Sequence, residues 1–140
     1  RVTRHALPWL RTMRIGFSLV HFPDADSQGH LEGWMSEPYL EGVRNADRCL
    51  ATVLDALATN DVPTLVIVTA AHGGHDKRHG QNRPDDTRIP FVAWGTGVPR
   101  SRVDRVSVLD TAPTILRALG LPAPATVEGR VITEALGRTP

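Results

Sequence analysis

Apolar positions recur along this chain at two different periods. Met13, Ile15, Phe17, Leu19 and Val20 combine alternation with a short apolar run, which predicts a core strand from Met13 to Val20. The next stretch, His21 to His30, contains Pro23, Asp24, Asp26 and Gly29 and predicts a polar loop. The period then changes. Leu40, Val43, Ala46, Leu50, Val53, Leu54 and Leu57 fall at helical spacing. Ser36 is a natural N-cap, with Glu37 and Pro38 in the first turn, and Asn60-Asp61-Val62-Pro63 is a stop. A long amphipathic helix is therefore expected from Ser36 to Ala58.

Thr64 to Thr69 is almost wholly apolar, as strands of a sheet covered on both faces are. A histidine-rich loop follows, and then Arg83-Pro84-Asp85-Asp86, a turn whose two aspartates are expected in solvent. Ile89 to Trp94 is a third expected strand, closed by Gly95-Thr96-Gly97. Asp110 is placed to cap a helix running through Leu119, with Gly120 and Pro122 as its stop, and Val131 to Leu136 is a short last helix. Strand, helix and strand joined by a long crossover imply an α/β fold, a three-layer sandwich with a mostly parallel sheet.

Composition narrows the function. The chain has 140 residues, enough for one domain or part of one, and a formal net charge of +1. No basic block with interleaved aromatics appears, so no nucleic-acid footprint is expected. No apolar stretch reaches membrane-spanning length. The single cysteine, Cys49, excludes an internal disulfide and a multi-cysteine zinc site, and it sits in a helical pattern as a small apolar residue. The chain starts at Arg1, and residues 1–140 are read as the C-terminal portion of a single domain from a larger protein.

Candidate chemistry gathers in two segments. The first offers Asp24, Asp26 and His30, and the second offers His72, His75 and His79 amid Gly73, Gly74 and Gly80. If the strands before them are parallel neighbours, both segments open at one sheet edge, where α/β folds place their sites. One carboxylate with two imidazoles leaves an open position on a zinc ion, the pattern of a catalytic site. A three-histidine loop can equally be a solvated turn. Asp24 is expected to hydrogen-bond its own loop, His75 to support its neighbours or lie exposed, and Trp34 and Tyr39 to pack at the start of the long helix. His5 and His21 read as surface or strand-end histidines.

Taken in order, Pro23 to Ser36, Val66 to Gly74, His79-Gly80, Ile89 to Gly95 and Asp110 to Leu116 resemble the alkaline phosphatase superfamily. The similarity leans to its type I phosphodiesterase/nucleotide pyrophosphatase-like branch and covers the C-terminal half of the catalytic domain. The resemblance implies an alkaline phosphatase-like fold present as a partial domain. It also implies a metal-dependent hydrolase of phosphate esters, with two zinc ions in the intact parent enzyme and one plausible here. Asp26, His30 and His79 match the ligands of one ion, and His72 matches a ligand of the other. Ala71 stands where the family has a ligand aspartate, and the segment bearing the family's nucleophile has no counterpart here. No catalytic residue is therefore assigned, and this portion alone is expected to be inactive. The alternative is a non-catalytic metal-binding pseudoenzyme or an interaction domain. The implied partner is a small phosphate ester, self-association of the partial domain is expected, and the compartment is open with a lean to extracytoplasmic.

Overall fold

The computed structural model describes residues 2–12 and 16–136. The chain forms two compact units. One comprises Arg1–Val62 and His72–Ile89, and the other comprises Pro63–Ala71 and Pro90–Pro140.

The first unit is helical. Helix α1 (Val2–Thr12) was not foreseen from the sequence; it carries Pro8 and packs on α3. Helix α3 (Glu37–Ala58) is the long helix the periodicity predicts, and Ser36 caps it by accepting from the Tyr39 N–H at 3.4 Å. The side chain of Asn60, just past its end, donates to the Leu10 carbonyl at 3.1 Å and ties α1 down.

Between these lies α2 (Asp24–Glu32), where a loop was expected. Pro23 sits at the N-cap, where a missing N–H costs nothing, and Asp24 and Asp26 fall in the first turn, where the helix dipole favours negative charge. The residues that look like loop signals thus start a helix. Gly42 lets α3 approach α2 closely, since a β-carbon there would lie 3.1 Å from the Ala25 Cα. Asn45 donates to the Asp24 carboxylate at 2.6 Å across the same contact. Val53 and Ala56 are the buried apolar side chains on α3.

The second unit holds strands β1 (Leu65–Thr69) and β2 (Phe91–Gly95), with Leu65 opposite Gly95 and Thr69 opposite Phe91. The pairing is antiparallel, so the mostly parallel three-layer sheet expected from the sequence is not seen among the described residues. A parallel pair needs a crossover of a dozen or more residues, usually helical. The only helix between β1 and β2 is one turn, α4 (Pro84–Thr87). The strand expected from Met13 to Val20 is also absent where it can be judged. Residues 13–15 lie outside the described residues, and 16–20 form no ladder, leaving Leu19 83% exposed.

Further along, a 3-10 turn (Val108–Asp110) leads into α5 (Thr111–Ala118). Asp110 stands at the N-cap of α5 as expected, but its carboxylate makes no bond to that helix. It serves the preceding turn instead, accepting from the Ser107 N–H at 2.9 Å and the Arg130 N–H at 2.8 Å. The expected last helix is a single 3-10 turn, Thr133–Ala135. Ile132 and Ala135 are buried here beside Thr114, whose hydroxyl donates to the Asp110 carbonyl at 2.6 Å and accepts from the Ile132 N–H at 2.9 Å. Among the described residues, no helix is long and apolar enough to cross a membrane.

Candidate metal centre

The site lies within the first unit, between α2 and the loop that runs from His72 to Gly80. Asp26 and His30 are four residues apart on α2, so helical geometry alone puts both on one face. Their side chains approach to 3.5 Å, His30 Nε2 to Asp26 Oδ1. The loop brings two more imidazoles to the same oxygen. His72 Nε2 lies 3.9 Å away and His79 Nε2 3.8 Å away. The ligand atoms of Asp26, His72 and His79 are all within 4.8 Å of one another, and His30 stands just outside that group.

Three hydrogen bonds stitch the loop to the end of α2. The Trp34 N–H donates to the Asp76 carbonyl at 2.7 Å, Lys77 Nζ donates to the Leu31 carbonyl at 2.6 Å, and His30 Nδ1 meets the Lys77 carbonyl at 3.0 Å. A carbonyl only accepts, so His30 donates from Nδ1 and turns Nε2 toward Asp26. His72 is fixed the same way, its Nδ1 bonding the Gly73 carbonyl at 2.8 Å. This is how metal-binding histidines are usually oriented.

Asp26 Oδ1 is closed off from solvent and accepts no hydrogen bond, although the side chain as a whole is half exposed. An anionic oxygen without a donor is costly. Here it faces the Nε2 atoms of His30, His72 and His79, so potential ligand atoms converge on one point. A cation satisfies all of these groups at once. One carboxylate with imidazoles suits a zinc-type ion.

Trp34 forms one wall. Its indole meets His30 edge-on at 5.1 Å and His79 edge-on at 5.8 Å, and it stacks over Gly29 and Gly74, where a β-carbon would collide with the ring. The packing role expected of Trp34 is real, but its target is the site. The contact with Tyr39, at 6.1 Å, is secondary.

Two residues differ from expectation. Asp86 was expected in solvent and is buried, because α4 turns its carboxylate inward onto His75. Burial opposes its ionisation, but the His75 side chain and the Gln81 N–H outweigh this and hold its carboxyl below the usual carboxylate range. Pro84 at the start of a one-turn helix was the available signal; nothing local shows that its partner stands eleven residues earlier. His75 is buried in support of the loop and lies outside the ligand group. Cys49 is half-buried.

A carboxylate and histidines gathered between α2 and a glycine-rich loop make a possible metal-ligand cluster. The chain belongs to the sulfatase family, whose model matches residues 21–121, and so to the alkaline phosphatase superfamily that the sequence resembles. It is similar to GPI ethanolamine phosphate transferase 1 of Chaetomium globosum, 34% identical over 97 residues, which is 67% of this chain and 10% of that protein. It is also similar to 2,3-bisphosphoglycerate-independent phosphoglycerate mutases. The protein from Ectopseudomonas mendocina is 30% identical over 139 residues, 95% of this chain and 26% of the relative. That from Bacteroides thetaiotaomicron is 30% identical over 121 residues, 83% of this chain and 23% of the relative. The chain thus spans between a tenth and about a quarter of the length of these relatives. No solved structure matches it.

Proposed function

We propose that this chain supplies a metal-binding, C-terminal portion of the catalytic domain of an enzyme acting on phosphate esters, of the phosphodiesterase or phosphatase type. The observation that carries this reading is the buried, unpartnered Asp26 Oδ1 with three imidazole Nε2 atoms 3.5–3.9 Å from it. The names of the relatives, a phosphate transferase and phosphoglycerate mutases, support a phosphate ester as substrate. Asp26, His72 and His79 would hold a divalent ion, zinc by donor set, with His30 beside them.

The chemistry such an ion supplies is charge neutralisation and polarisation at a phosphoryl oxygen. The chain's own residues contribute placement. Helix α2 fixes Asp26 and His30 in register, the loop presents His72 and His79, and Trp34 shields their edges from water. The resemblance divides these ligands between two ions, with His72 on the second. The geometry brings His72 to the same carboxylate oxygen as the others, which favours a single shared ion in this chain. The three-layer, mostly parallel sheet belongs in this proposal to a larger domain of which residues 1–140 are the C-terminal portion.

Ala71 favours a second reading, a metal-stabilised domain without catalysis. A methyl group offers no lone pair where the resemblance implies a ligand carboxylate, and no nucleophile is assigned.

The test is to saturate the purified chain with zinc, count bound metal, and repeat with His79→Ala. About one zinc per chain, lost in the variant, supports the site; a folded chain that binds none sinks it. The chain carries no assigned nucleophile, so Ala71→Asp in the longer parent protein separates the readings: hydrolysis of p-nitrophenyl phosphate or its diester supports the enzyme, and silence at full metal occupancy supports the non-catalytic domain.

A further inference from the structure

A carboxylate as buried as that of Asp86, 3% exposed, needs its lone pairs filled. Its Oδ1 accepts from His75 Nδ1 at 2.6 Å, and its Oδ2 accepts from the Gln81 N–H at 2.7 Å. Its main-chain carbonyl accepts from the Gly73 N–H at 2.7 Å. One residue thereby ties down positions 73, 75 and 81. These adjoin both loop histidines, since Gly73 directly follows His72 and Gln81 lies two residues beyond His79. Between them the tip is closed by reciprocal backbone bonds, His75 N–H to the Arg78 carbonyl at 2.9 Å and Arg78 N–H to the His75 carbonyl at 3.0 Å. Gly73 is seated so tightly that a β-carbon would overlap the Asp85 carbonyl.

We infer that Asp86 is the positioning residue of the site, acting through His75 and the main chain. It holds the loop so that His72 and His79 remain converged on Asp26 before any ion arrives. His75 contributes nothing to the ligand group, and its Nε2 is buried without a partner. Its contribution is the Nδ1–H donated to Asp86. Preorganised ligands give up less conformational entropy on binding, so the clamp should appear in metal affinity. That consequence rests on the metal-binding reading above; the holding of the loop does not.

The experiment compares the parent chain with His75→Ala and His75→Asn. The asparagine amide nitrogen falls near the Nδ1 position and can still donate to Asp86. Without metal, hydrogen exchange of the Gly73 and Gln81 amides is followed. With metal, zinc affinity of the folded protein is measured by competition with a chelating dye. His75→Ala is expected to lose protection at both amides and to bind zinc about 10–100-fold more weakly. His75→Asn is expected to restore most of both. A merely structural role would lower the thermal midpoint and leave zinc affinity of the folded fraction unchanged, and that result overturns the inference. So does protection at Gly73 and Gln81 that persists in His75→Ala. Should that variant fail to fold, His75→Gln, with its nitrogen displaced toward the Nε2 position, takes its place. If the parent binds no zinc, the proposed function fails, while the amide protection still decides the role of Asp86.

Discussion

The imidazoles of His72 and His79 lie stacked, centroids 3.6 Å apart and 14° from parallel, with both Nε2 atoms within 4 Å of Asp26 Oδ1. Two cationic rings would repel one another at that distance. The stack sets both Nε2 atoms beside one carboxylate oxygen, and a shared ion would require one ring to turn so that both in-plane lone pairs reach it. His72→Ala is therefore expected to abolish stoichiometric zinc binding as fully as His79→Ala does, measured by metal analysis after dialysis. His30→Ala should weaken binding less, because His30 stands outside the mutually close group. If His72→Ala still holds one tightly bound zinc, His72 belongs to a different ion.

The wall formed by Trp34 gives a second expectation. No side chain fits at Gly74 beneath the indole. Gly74→Ala must push the ring off His79 or distort the loop, and overpacking of this kind costs about 1–3 kcal/mol. A lowered thermal midpoint, together with changed tryptophan fluorescence, would follow. An unchanged midpoint would mean that the ring can move aside freely.

Helix α3 was legible because seven apolar residues keep one period over about five turns and Ser36 marks its start. The apolar strands were legible for the same kind of reason, and Asp26, His30, His72 and His79 were legible through their ordered motifs. Helix α2 was not, because Pro23 and Gly29 look like breakers. In the fold Pro23 sits at an N-cap and Gly29 makes room for Trp34, and only tertiary structure reveals both roles. Strand direction was misjudged because an apolar run does not encode it. Asp86 was misjudged because its burial depends on His75, and no local pattern links the two.

The β1–β2 ribbon offers a third expectation. Val92 and Trp94 share one face of β2 and are 54% and 47% exposed, opposite Val68 and Val66. A two-stranded ribbon with an uncovered apolar face and unpaired edges invites association. We expect the isolated chain to be oligomeric by light scattering at micromolar concentration, and Trp94→Lys to shift it toward monomer. A monodisperse monomer of the parent chain would contradict this.

Asp110 gives the last expectation, a dependence on pH. The Ser107 N–H, then the Arg130 N–H, hold its carboxyl below the usual carboxylate range, against the opposing effect of burial. A folded-state value below the unfolded one means that the stabilisation is fully present above the unfolded value, about pH 4. It is lost as pH falls through the lower, folded-state value. Asp110→Ala leaves two N–H groups without their acceptor and should cost roughly 2–4 kcal/mol at neutral pH. Chemical denaturation at pH 7 and at pH 3 checks both parts. The gap between parent and variant should be wide at pH 7 and narrower at pH 3, as the unfolded parent chain takes up a proton at Asp110 that the folded state resists. A gap that stays constant would show that Asp110 acts through packing and that its charge contributes nothing.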